Sequence, residues 1–144
     1  MEAIKLLPVS SVKLLAGTIE NVSVTGKISG GSGSTIGGIV GTDDTGVIQN
    51  AYSAATVMGG DGAKNVGGVI GYFAGECGPE CLGQLTSSFS VGPVSGGAGA
   101  SVGGVIGENS GAQILNSYAL GPCQRRQQFF RRRRGGHTIC LLGK

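Results

Sequence analysis

Eight acids, one histidine and four cysteines are the side chains from which acid–base, thiol or metal chemistry could be assembled in this 144-residue chain. The nearest thing to a carboxylate pair lies at Asp43-Asp44 and Glu108-Asn109, which follow two copies of a glycine-rich phrase, with Tyr72-Phe73 after the copy between them. If the copies stack as strand layers, two layers separate the acids by about 10 Å. That is near the upper end of the spacing of an inverting glycosidase. A solvated turn is the expected role of these acids. A nucleophile triad lacks its base, because His137 is the sole histidine and stands in a basic C-terminal stretch. A zinc site drawn from Cys77, Cys81, His137 and Cys140 has only loosely finger-like spacing. Calcium is disfavoured too. Gly30-Gly31-Ser32-Gly33, Gly59-Gly60-Asp61-Gly62 and Gly96-Gly97-Ala98-Gly99 imitate the start of a calcium-binding nonapeptide, but Thr35, Lys64 and Ser101 stand where its next Asp is required. No Gly-x-x-x-x-Gly-Lys-Ser/Thr loop is present for phosphate. The chain reads as a non-enzyme with no catalytic residue, no metal and no cofactor.

The elements that would carry these residues are set by glycine. Thirty glycines disfavour helix throughout, at about 1 kcal/mol per site relative to Ala. The phrase Gly37-Gly38-Ile39-Val40-Gly41 recurs as Gly67-Gly68-Val69-Ile70-Gly71 and Gly103-Gly104-Val105-Ile106-Gly107. Each copy follows an aliphatic residue, Ile36, Val66 or Val102. A second column starts at Ile19, Ile48, Leu85 and Ile114, with Asn21, Asn50, Ser87 and Asn116 two positions on and Ser23, Tyr52, Phe89 and Tyr118 two further. That period of two is the strand signal. Nine positions after each start stand Ile28, Val57, Val94 and Cys123. The pattern predicts an all-β solenoid, β-helix-like, of about three and a half coils built from repeats of roughly 29–36 residues. Stacked aliphatics would form the core and stacked Asn side chains would hydrogen-bond as ladders. Corner glycines would supply positive φ and close approach between layers.

Repeat lengths locate an insertion of about seven residues between Gly71 and Leu85, containing Glu76-Cys77-Gly78-Pro79-Glu80-Cys81. It is read as a protruding loop, where repeat proteins place function. A local Cys77–Cys81 disulfide across Gly78-Pro79 is a better reading than zinc if the protein is exported, with two free loop thiols as the open alternative. Ile48-Gln49-Asn50-Ala51-Tyr52-Ser53, followed by Val66 to Gly71, resembles the GLUG repeat, as do Leu115-Asn116-Ser117-Tyr118-Ala119 and Val102 to Asn109. The similarity covers about residues 17–123. It implies bacterial exported or cell-surface proteins: adhesin-like and haemagglutinin-like chains, and non-catalytic segments of IgA-cleaving peptidases.

Charge divides the chain. Residues 1–123 carry four Lys against eight acids, whereas residues 124–144 carry six Arg, Lys144 and no acid. The pattern breaks off mid-unit at Cys123, which points to a frameshifted or recently acquired tail over 124–144, preceded by the repeats at 17–123 and a lead-in strand or cap at 1–16. The Arg run with Phe129-Phe130 would hold nucleic acid non-specifically through its charge. No apolar run reaches the length of a membrane span, and no secretory signal is visible. The expected function is a non-catalytic structural or adhesive segment, extracellular or cell-surface by the resemblance. Its expected partners are an unidentified host-surface or matrix ligand and further copies of itself through an exposed sheet edge. The competing expectation is the non-catalytic portion of a secreted peptidase or polysaccharide-active enzyme.

Overall fold

A computed structural model describes residues 13–77 and 81–125, and all of its regular elements are β-strands. After β1 (Lys13–Leu14) come β2 (Thr18–Glu20), β3 (Ser23–Gly30), β4 (Thr35–Gly37) and β5 (Val40–Asp43), which form the first repeat unit. The second contains β6 (Val47–Gln49), β7 (Tyr52–Gly59), β8 (Asn65–Gly67) and β9 (Ile70–Ala74). A short antiparallel hairpin, β10 (Glu76–Cys77) and β11 (Cys81–Leu82), follows. The third unit runs through β12 (Gln84–Thr86), β13 (Phe89–Ser90), β14 (Val94–Gly96), β15 (Ser101–Gly103) and β16 (Ile106–Ser110). The fourth is partial: β17 (Gln113–Leu115), β18 (Tyr118–Ala119) and β19 (Cys123–Arg125).

Four parallel sheets are made by taking one position from each unit, in chain order. The first is β2-β6-β12-β17, and the second runs from β3 through β7 to β13 and β14, then to β18 and β19. The third is β4-β8-β15 and the fourth β1-β5-β9-β16. Where β7 is continuous, its counterparts in the third and fourth units are split at Gly92-Pro93 and Gly121-Pro122, because proline donates no ladder hydrogen bond.

Register follows the columns read from the sequence. Ile19, Ile48, Leu85 and Ile114 are successive partners, as are Ile28, Val57, Val94 and Cys123, and Ile36, Val66 and Val102. Ile48, Leu85, Val57 and Val66 are fully buried, while Ile19 and Ile114 at the two ends of their column are only partly covered. Each buried aliphatic side chain contributes about 1.5–3 kcal/mol relative to exposure, so burial is greatest in the middle units.

One expectation about backbone is corrected and a second holds at only some of the corners. The Asn column is not mid-strand: Asn21, Asn50, Ser87 and Asn116 have φ of 56°, 49°, 49° and 49° and break the chain between the first and second sheets. Asn tolerates this left-handed conformation because its short amide bonds locally. One ladder rung is present, with Asn50 Nδ2 donating to Asn21 Oδ1 at 3.3 Å. Among the corner glycines, Gly33, Gly62 and Gly99 take the expected positive φ, at 76°, 77° and 85°, whereas the nine of the repeated phrase do not. At Gly37, Gly38, Gly67, Gly68, Gly71 and Gly107 it is close approach that excludes a side chain. A Cβ on Gly37 or Gly67 would overlap the carbonyl oxygen three residues on, and one on Gly38 or Gly68 would overlap the next unit's phrase and the hydroxyl of Ser53 or Ser90.

Candidate functional site

The acids after the glycine phrase do not converge. Thr42, Tyr72 and Glu108 share one column, and Asp43, Phe73 and Asn109 share the next. Successive strand residues project to opposite faces. Asp43 is therefore turned inward and fully buried, which corrects its expected place in a solvated turn, and Glu108 does not share its face. Asp43 Oδ1 accepts the Gly46 N–H at 2.7 Å, while Oδ2 has no partner. Burial raises its pKa above the ordinary carboxylate value. The charge of Asp44 adds to the rise, and the Gly46 bond opposes it. Asp44 itself faces solvent and pairs with Lys13 at 3.1 Å.

The matching corner of the third unit shows what Asp43 lacks. Asn109 Oδ1 accepts the Ala112 N–H at 3.0 Å, and its Nδ2 donates to the Ala112 carbonyl at 3.0 Å. A protonated Asp43 has the same donor and acceptor pattern as Asn109. In the second unit this column holds Phe73, fully buried just before the hairpin. The geometry is that of a structural corner clamp, and the neighbouring carboxylate, Asp44, is turned to solvent and paired with Lys13.

Outward on the second sheet, Tyr52, Phe89 and Tyr118 form a continuous stack. The Tyr52 and Phe89 centroids are 4.8 Å apart and tilted by 51°, and Phe89 and Tyr118 are 5.3 Å apart and nearly parallel at 9°. Tyr118 is 50% exposed at the last rung. The aromatic column was visible in the sequence, yet its surface position follows only from the corner at the preceding Asn. Further along the same sheet, Met58, Asp61, Ser95 and Gln124 line an open groove of about 550 Å³ floored by glycine turns. Asp61 is occupied within it, since its Oδ1 accepts the Ala98 N–H at 3.1 Å.

Inside, Ser53 and Ser90 are fully buried beneath the glycine phrases with hydroxyls that have no partner. Ser88 differs: its Oγ accepts from the Ala51 N–H at 3.1 Å and donates to the Thr86 carbonyl at 2.9 Å. These two serines do not meet a base, and among the described residues no three His, Cys, Asp or Glu side chains gather as metal ligands.

The inserted loop is the β10–β11 hairpin, in which the backbone sets Cys77 directly opposite Cys81. Cys123, on the aliphatic column, is disulfide-bonded, a feature the sequence reading did not foresee. His137, Cys140 and the Arg-rich stretch from Arg126 onward lie outside the described residues, as does the segment Gly78 to Glu80. No helix among the described residues is long and apolar enough to cross a membrane. Compared with family models, curated proteins and solved structures, the chain matches none.

Proposed function

We propose that the repeats wind as a short β-solenoid of GLUG-like units, and that the chain acts as a non-catalytic structural and adhesive segment of an exported or cell-surface protein. One observation supports the winding above others: all four parallel sheets take their strands in chain order at constant register from unit to unit. Such an arrangement holds surface side chains at fixed spacing along one axis, as repeat proteins do when they present a binding face. Here the presented features are the outward aromatic stack and the hairpin that interrupts the repeat between Ala74 and Gln84.

The adhesive part is tested with the purified chain coated on microspheres and flowed over epithelial cells and matrix-coated glass. Retention above that of albumin-coated beads is expected. Replacing residues 76–82 with a short Gly-Ser linker, or Tyr118 with Ala, should lower retention while the circular dichroism spectrum is unchanged. Retention no greater than that of albumin would overturn the adhesive reading.

A further inference from the structure

We infer that this chain assembles head to tail, the partial fourth unit of one copy being completed by the leading strand of the next. The inference rests on the stacking part of the proposed function, not on adhesion. At its C-terminal end the described chain supplies the first and second sheets with a fourth strand layer, through β17, β18 and β19, but leaves the fourth sheet ending at β16. At its N-terminal end the reverse holds. There β1 adds a layer to the fourth sheet ahead of β5, while the first and second sheets begin only at β2 and β3. Set end to end, β1 of one copy occupies the layer above β16 of another, and β2 and β3 lie against β17, β18 and β19. Only the third sheet has no strand for that layer among the described residues.

The junction repeats hydrogen bonds that the chain already makes between its own units. Val47, Gln84 and Gln113 N–H donate to the carbonyls of Gly17, Gly46 and Gly83, at 2.8, 3.0 and 3.0 Å. The next members of this series are Thr18 N–H of one copy and the Ala112 carbonyl of another. Tyr52, Phe89 and Tyr118 N–H donate to Val22, Ala51 and Ser88 carbonyls at 2.8, 2.9 and 3.2 Å, so that Ser23 N–H falls to the Ser117 carbonyl. In the opposite sense, Asn21, Asn50 and Ser87 N–H donate to Gln49, Thr86 and Leu115 carbonyls, each at 3.1 Å, which leaves Asn116 N–H for the Glu20 carbonyl. Open strand edges of this kind template pairing with another chain.

Side chains fit the same register. Lys13 stands in the column of Thr42, Tyr72 and Glu108, so the junction brings Lys13 of one copy beside Glu108 of the next, opposite charges on neighbouring strands. Lys13 is 55% exposed even while paired with Asp44, so it remains within reach of a second acid. The half-exposed Tyr118 ring, which Phe89 covers on one side, comes to lie over Ser23. Because the two surfaces are different, the contact is heterologous and leaves open ends that add further copies.

The test uses the full chain and two charge variants, Lys13→Glu and Glu108→Lys. Wild-type mass from light scattering should climb steadily with concentration. Each variant alone sets like charges across the junction and should need at least about fivefold more protein to reach the same mass. An equimolar mixture should return to within about twofold of wild type, because both junctions in the mixture pair opposite charges. Hydrogen exchange gives an independent reading: amides of Thr18, Ser23 and Asn116 should gain protection as concentration rises. A wild-type chain that is monomeric to about 1 mM, or variants whose mixture associates no better than either alone, would overturn the inference. Association with rescue but without bead adhesion would leave it standing and remove only the adhesive reading.

Discussion

Gly68 tolerates no side chain, since a Cβ there would overlap the Gly104 carbonyl oxygen and the Ser90 hydroxyl, groups held by the next unit. Gly68→Val should therefore cost about 3 kcal/mol or more in urea unfolding. Gly31 is exposed, with open space around its Cβ direction and no positive φ. Gly31→Ala should be neutral or stabilise by up to about 1 kcal/mol, through the unfolded chain. Equal losses in both variants would mean that glycine matters here by composition and not by contact. Asp43 is fully buried with one carboxylate oxygen unpaired. Its pKa lies above the ordinary carboxylate value chiefly because it is buried, so the native state holds this proton more tightly than the unfolded chain does. Stability from this group is present at low pH and falls as pH rises from the unfolded pKa through the native one. Asp43→Asn supplies at every pH the donor that Asn109 already uses, and should abolish that fall. Urea midpoints at pH 3.5 and pH 7 check it: the variant should exceed wild type at pH 7 and converge with it at pH 3.5. Nothing in the sequence marked Asp43 as buried, because an Asp beside a second Asp normally faces water.

Between elements, the controlling feature is the left-handed residue that joins the first sheet to the second. Asn50 holds φ at 49° and also donates to Asn21, so backbone and side chain both favour Asn there. Asn50→Gly should lose only the exposed amide bond, while Asn50→Ala also takes on the left-handed penalty of a Cβ, about 1 kcal/mol. Thermal unfolding should rank wild type, Gly and Ala in that order. If Ala were as stable as Gly, the corner would not be strained. This corner also explains why the sequence was only partly legible. Ile48, Asn50 and Tyr52 alternate as a strand would, and a one-residue left-handed turn leaves that alternation intact while sending the aromatic onto another sheet. Column register was readable because Ile19, Ile48, Leu85 and Ile114 must bury against one another whatever lies between them. The disulfide at Cys123 was not, since its aliphatic column gave the residue an adequate hydrophobic role.

For the whole molecule, the consequence of unit-by-unit register is that layers should be addable. Residues 18–46 span one full unit, because Thr18 pairs with Val47 and the strands between them pair with the second unit at offsets of 29 residues in the second sheet and 30 in the third and fourth. Inserting a second copy of 18–46 after Gly46 should extend each sheet by one strand and bury one more set of core side chains. Stability in such arrays is a sum over units and their contacts. The denaturant m-value follows the surface exposed on unfolding, so growth from about three and a half layers to four and a half should raise it by about a quarter. The urea midpoint should rise as well, since a buried interface is added and no new end is created. Inserting only residues 18–31 at the same point gives a chain of intermediate length whose downstream columns are out of step. That variant should keep or lower the wild-type midpoint, with no gain in m-value. If the half unit stabilised as much as the full one, added length and not register would be the source of stability, and the sheets could not be continuous stacks of equivalent strands.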